Sequence, residues 1–184
     1  MDLLAEQDTK RAASDAVVNA LGLNQSLAHL GTPVRVGSSA LGLMVRNDID
    51  ITVICEALDL ATHEAVVDLA AELSRHPRVR KVQFRNDTGD WNTDPGYPDG
   101  FYLGVNCRSP QDEDWNLDIW FIDEPDRQPD LAHLDEMPAQ LTPETRTAIL
   151  DIKRAYADRP EYSSHAIYRA VLDKGIRTPE EFTP

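Results

Sequence analysis

Positive charge is what this 184-residue chain lacks most: 18 Lys and Arg stand against 32 Asp and Glu, a formal net charge of −14. A phosphodiester backbone is bound chiefly by Lys and Arg neutralising its phosphates, so this balance disfavours a nucleic-acid binder. It favours cationic partners or small substrates, or serves solubility alone. Cysteine is nearly missing too. Cys55 and Cys107 both sit in strand-like runs with apolar neighbours and read as buried, reduced thiols, not as a disulfide framework. No apolar run approaches the roughly 18 residues that a membrane span needs. The opening "MDLLAEQDTKRAASDAVVNAL" is acidic, with no basic region before an apolar stretch, so no signal peptide is expected. There are no repeats and no low-complexity tract, and the five histidines show no metal-ligand spacing. A cytoplasmic globular protein is the expectation these absences leave.

What is present is a sequence of alternating periodicities. Ala13, Val17, Ala20 and Leu21 predict a helix to about Leu21, with a second short turn before Gly31. "TPVRVG" (32–37) reads as a strand, "SSALGLMV" (38–45) as a turn and short helix, and "DIDITVIC" (48–55) as the clearest strand. "LDLATHEAVVDLAAELSRHP" (58–77) predicts an amphipathic helix with Leu60, Val66, Val67, Leu69, Ala70 and Leu73 on one side, ended by His76-Pro77. Strands follow at 78–85, 101–108 and 115–122, separated by the polar loop "NDTGDWNTDPGYPDG" (86–100) and the acidic turn "SPQDED". The remainder reads as helical: near 126–137, from Thr142-Pro143-Glu144 to about Asp158, and across 163–174 before Gly175. This order predicts an α/β (α+β) fold, a mixed β-sheet of about five strands with packed helices. A core over 1–125 would carry a C-terminal helical extension, 126–184, as one compact unit.

The strand at 48–55 begins oddly. Asp48, Asp50 and Thr52 share one face, while Ile49, Ile51, Val53 and Cys55 share the other. Two carboxylates about 6.5–7 Å apart at their Cα atoms repel and raise one another's pKa unless a cation lies between them. Mg²⁺ is the hard cation suited to one or two carboxylates plus substrate phosphates. Upstream, Gly37 allows close backbone approach, and Ser38-Ser39 opens a helical turn whose free N–H groups and hydroxyl suit a phosphate. Asp118, in "WNLDIWFI", is a third carboxylate embedded among apolar neighbours. If its strand lies beside 48–55, three carboxylates converge. Such a set holds one or two metal ions, or uses its third member to take a proton from an attacking hydroxyl.

"GSSALG…NDIDITV" resembles the signature of the DNA polymerase beta-like nucleotidyltransferase superfamily: Gly-Ser, a helix, then Asp-x-Asp on a strand. The clear match covers 33–55, with Asp118 standing where many small members carry a third acid. The resemblance implies transfer of a nucleoside monophosphate from ATP or another NTP, with one or two Mg²⁺ ions, onto an acceptor. It implies that Gly37, Ser38 and Ser39 hold phosphate, that Asp48 and Asp50 hold metal, and that Asp118 is metal ligand or base. Arg46, on the intervening turn, is within reach of the triphosphate, although a solvated turn arginine is the plainer reading. Lys153 and Arg154 are read as surface ion-pairing residues, with a phosphate contact as the alternative.

The superfamily's antibiotic-modifying members, which adenylylate aminoglycosides or lincosamides, supply the nearest functional analogy. A small-molecule acceptor is therefore expected, bound by Trp91 and Tyr97 through stacking and by Asp90, Asp94 and their acidic neighbours through charge. Incidental aromatics on a solvated loop are the competing view. Nucleic acid and membrane are disfavoured as partners. A minimal antitoxin-like enzyme acting on a partner protein, a homo-oligomer, and a catalytically silent nucleotide-binding module stay open.

Overall fold

Alternating apolar and polar positions draw five segments into one mixed sheet: β1 (Thr32–Val36), β2 (Asp48–Ile54), β3 (Val79–Asp87), β4 (Gly100–Arg108) and β5 (Asp114–Ile122). The computed structural model describes residues 3–159 and 162–182. Strand order is β1-β2-β5-β4-β3, with β2 and β5 parallel and the other three pairs antiparallel. The helices are α1 (Leu3–Ala20), α2 (Leu23–Ala28), α3 (Gly37–Leu41), α4 (Leu60–Ser74), α5 (Pro129–Glu136), α6 (Pro143–Ala155) and α7 (Ser164–Lys174). Their ends follow local chemistry. Thr142 caps α6 by accepting from the Thr145 N–H, with Pro143 in the first turn, and Ser163 caps α7 through the Ala166 N–H. Gly175, at φ 73°, ends α7 in the left-handed conformation.

One face of the sheet is apolar throughout. Ile49, Ile51, Val53, Leu103, Leu117, Ile119 and Phe121 pack there against Val17 of α1, Leu23 of α2 and Val66, Leu69 and Leu73 of α4. Each such side chain contributes about 1.5–3 kcal/mol by leaving water, which fixes which face every strand presents. A second apolar cluster joins Leu41 and Leu43, just after the Gly-Ser turn, to Ile149, Ile152, Ile167 and Val171 of α6 and α7. The C-terminal helices are thereby held close to the start of β2. No helix among the described residues is long and apolar enough to cross a membrane. Cys55 and Cys107 are buried free thiols, and burial pushes each pKa up to about 11.

Several expected boundaries shift. The first helix starts at Leu3, and the turn before Gly31 is a six-residue helix. The apolar stripe of α4 is narrower than its sequence suggests: Leu60 is 71% exposed and Val67 39% exposed. Leu60 stands in the first turn, short of the sheet, and Val67 follows the inward-facing Val66 by only 100° of helix rotation. The helix also ends at Ser74, before His76-Pro77.

Candidate active site

The second face of the sheet is polar, and register arranges it in three rows. Asp50 of β2 pairs with Asp118 of β5, which pairs with Gly104 of β4 and then Gln83 of β3. Asp48, Asn116, Asn106 and Lys81 form the row on one side, and Thr52, Trp120, Tyr102 and Arg85 the row on the other. The parallel β2–β5 pairing that the convergence of Asp48, Asp50 and Asp118 required is therefore present.

Gly37 lies directly against this pair. Its φ is 62°, and a Cβ there would stand 2.3 Å from an oxygen of the Asp50 carboxylate. Two independent constraints thus demand glycine, a left-handed backbone and a missing side chain. The Asp50 carboxylate has no hydrogen bond or ion pair among the described residues. Burial, and then the carboxylates of Asp118, Asp130 and Asp48, push its pKa up to about 7. Its neighbours are held more firmly. Asn116 donates to Asp48 at 2.9 Å, and the Tyr102 hydroxyl donates to Asp118. Tyr102 reaches that oxygen by lying over Gly104, where a Cβ would meet its hydroxyl at 2.6 Å.

Helices α5, α6 and α7 build the opposite wall of a cleft of about 760 Å³ lined by Gly37, Ser38, Arg46, Asp48, Asp50 and Asp118. Lys153 enters from α6. It is 7% exposed, donates to the Leu43 carbonyl at 2.8 Å and the Tyr168 hydroxyl at 3.2 Å, and so is not the surface residue expected. Its burial was legible: it continues the inward stripe of Thr145, Ala148, Ile149 and Ile152. Burial lowers its pKa to about 8, while Asp50 and Asp48 oppose that shift. Arg154, one residue on, faces outward and pairs with Glu6. The cleft also gathers Asp130, His133 and His165, which sequence spacing left unassigned. The two imidazoles stack with centroids 4.9 Å apart, and the His133 ring is 3.9 Å from Asp130. Their separation by 32 positions, on α5 and α7, hid the grouping.

Not every expected residue joins the cleft. Ser39 is buried, its hydroxyl turned to the Val36 carbonyl at 3.2 Å, because the turn closes on itself there. Ser38 alone of the serine pair faces the cleft, and α3, five residues long, has little dipole to offer a phosphate. Tyr97 lines the cleft mouth, whereas Trp91 and Asp94 line a neighbouring hollow beside Trp120. Asp94 caps its own loop through the Gly96 N–H, and Asp99 ties the loop to Gly89 and Asn92. The acidic turn after β4 lies at the other end of the sheet from this loop, since β4 runs between them. The two acidic segments therefore do not form one surface.

Chemically, the cleft presents three oxygen-donor side chains on one wall and a buried ammonium on the other. Among the described residues no three ligating groups close into a metal cage. The set is open to one side, with one oxygen each of Asp48 and Asp118 engaged by Asn116 and Tyr102.

No family model matches the chain, and no curated protein does. Solved structures do. One is Cid1, described through its RNA terminal uridylyl transferase activity, with a TM-score of 0.59 and 17% identity over 91% of this chain and 47% of that one. Another is a cytoplasmic RNA terminal U-transferase, with a TM-score of 0.55 and 19% identity over 91% of this chain and 48% of that one. The chain spans about half the length of these structures, and at such identity the likeness establishes the fold.

Proposed function

We propose that the chain is a nucleotidyltransferase, moving a nucleoside monophosphate from an NTP to an acceptor hydroxyl. The observation that carries this reading is the Asp50–Asp118 register pair with Gly37 folded against it, in a cleft of a size that takes a nucleotide. The residues fit a divalent ion. Their donors are all carboxylate oxygens, and desolvation and the neighbouring carboxylates raise the pKa of the half-buried Asp50. Asp48, Asp50 and Asp118 would hold one or two Mg²⁺ ions, which when bound neutralise phosphate charge. Lys153 faces the same space from the other wall and Arg46 from the turn before β2, and both are placed to meet the triphosphate. The acceptor oxygen attacks the α-phosphorus, the bond to pyrophosphate breaks, and the hydroxyl proton passes to Asp118. Tyr102 already donates a hydroxyl hydrogen bond to that carboxylate.

Both solved neighbours are named for transfer to RNA, and we take a polynucleotide end as the acceptor here in place of the aminoglycoside or lincosamide. The small-molecule reading rests on analogy with antibiotic-modifying members, and its preference for a cationic ligand on acids in a loop and a turn that lie at opposite ends of the sheet. ATP and UTP are both candidate donors. Purified protein incubated with each labelled NTP, Mg²⁺, short oligonucleotides and an aminoglycoside panel tests the assignment. Asp50→Asn and Asp118→Asn are expected to fold and to lose about 10²–10⁴-fold in transfer rate. Undiminished transfer in both would overturn the site.

A further inference from the structure

The chain's few cations are unevenly placed. From 75 to 85 the sequence reads "RHPRVRKVQFR", with Arg75, Arg78, Arg80, Lys81 and Arg85 and no acid. Arg78, Arg80 and Lys81 stand at the start of the edge strand β3, and Arg108 ends β4 beside them, its backbone N–H donating to the Arg78 carbonyl at 2.9 Å. These four side chains line an open hollow of about 850 Å³ that also reaches Trp115. Trp115 is 2% exposed, and its indole N–H finds no acceptor among the described residues. A buried donor without an acceptor is costly and rare. Two acids temper the charge: Asp112 lies 3.6 Å from Arg78 and Asp114 3.3 Å from Arg108. Both acids are largely exposed, and such pairs are worth about 0–1 kcal/mol, so they yield to a stronger anion.

Cations and a bulge on an edge strand also guard against edge-to-edge pairing, and β3 has a register shift between Val79 and Lys81. That accounts for Arg80 and Lys81. It does not account for Arg108, on an interior strand.

The hollow is continuous with the carboxylates. Lys81, Asn106 and Asn116 line both it and a smaller space of about 300 Å³ that holds Asp48, Tyr102 and Asp118. They are successive members of the register row that ends at Asp48. Three strand spacings of about 4.8 Å make this row about 14 Å long, the reach of a few nucleotides. With a net charge of −14 on the whole chain, a polyanion is repelled nearly everywhere else.

We propose that this basic hollow grips the acceptor strand: a single-stranded polynucleotide lays its phosphates against Arg78, Arg80, Lys81 and Arg108. The amides of Asn106 and Asn116 line its path, and its terminal hydroxyl points to Asp118. The placement rests on the nucleotidyl-transfer reading for its direction, but the binding itself is measured apart from transfer. Fluorescence anisotropy of a labelled single-stranded oligonucleotide on the full chain, at rising salt, is the test. Arg80→Ala/Lys81→Ala/Arg108→Ala is expected to weaken binding tenfold or more and to flatten the salt slope by about 2, as loss of three phosphate contacts would. Asp50→Asn should bind as wild type, so a failed transfer reading leaves this result standing. Arg169→Ala, which removes a distant exposed cation paired with Asp173, should change nothing. Should the triple variant melt early, Arg80→Ala alone, exposed and without an ion pair among the described residues, carries the test with a two- to threefold loss expected. No binding by wild type at low salt, or equal binding by wild type and both groove variants, overturns the proposal.

Discussion

The two halves of the polar sheet face are built from the same register rows and behave in opposite ways. On β2 and β5, Asp48, Asp50 and Asp118 lie under the wall made by α5, α6 and α7. On β3, Lys81, Gln83 and Arg85 lie exposed, and no helix among the described residues lines the space beside Lys81 and Gln83. Each outer row ends in a cation on β3: Asp48 runs to Lys81 and Thr52 to Arg85. Covering is what separates the halves. A charge beneath the helices feels weak screening, which is why Asp50 is pushed up to about 7 and Lys153 drawn down to about 8. A charge on the open half stays solvated and acts at longer range on a charged strand. Net charge averages over both halves and describes neither.

The most severe way to break the covered half without touching the open one is Gly37→Ala. The new Cβ would stand 2.3 Å from the Asp50 carboxylate, on a backbone at φ 62° that L side chains rarely adopt. A strained residue of this kind costs about 1–3 kcal/mol, which for a chain of this size lowers Tm by roughly 2–12 °C. Transfer should fall with it, because Asp50 must move, while oligonucleotide binding stays. A variant that melts and transfers like wild type would mean the close approach of Gly37 is incidental.

This difference also decides what could be read in advance. All five strands and the carboxylate pair were legible, because strict alternation in "DIDITVIC" and the apolar flanks of Asp118 are local signals. The register that sets Asp50 beside Asp118 was legible only as a condition, since strand order is a long-range property. Lys153 was missed although its helical stripe was visible, because a lysine among apolar residues reads first as surface. His133, His165 and Asp130 could not be grouped, since only the packing of α5 against α7 brings them together. Which sheet end carries each acidic segment depends on strand pairing: the 86–100 loop and the 109–114 turn are both hairpin connections, at opposite ends of β4.

A gentler probe of covering is pH. With chelator present, Asp50 has a folded-state pKa of about 7 against the ordinary carboxylate value of 3.8. The folded state therefore holds this proton more tightly than the unfolded chain does. The resulting penalty is absent below the unfolded value, grows as pH rises from about 4 to 7, and is complete above 7. Asp50→Asn carries no such penalty. Its Tm should exceed that of wild type by an amount that widens over this window and then levels. Thermal melts of both proteins from pH 4 to 8 measure it. A gap that is constant with pH would mean that Asp50 is solvated and the helices do not cover it.

The smallest effect is expected where the halves meet. Tyr102 donates its hydroxyl to Asp118 on the covered side, while the Arg85 guanidinium sits 4.7 Å over its ring on the open side. Asp87 steadies that arginine at 2.8 Å. Tyr102→Phe keeps the ring, its tilted contact with Trp120 and the cation–π contact, and removes only the hydroxyl. A hydrogen bond to a charged group contributes about 1.5–3 kcal/mol, less what water restores to the freed carboxylate. Stability should therefore fall by about 1 kcal/mol at most. If Tyr102 orients Asp118 toward the acceptor, kcat falls several-fold while oligonucleotide affinity and nucleotide KM hold. If its hydroxyl instead occupies the acceptor's place, removing it raises kcat. An unchanged kcat in a folded variant would place Tyr102 outside the reaction and leave the two halves of the face coupled by charge alone.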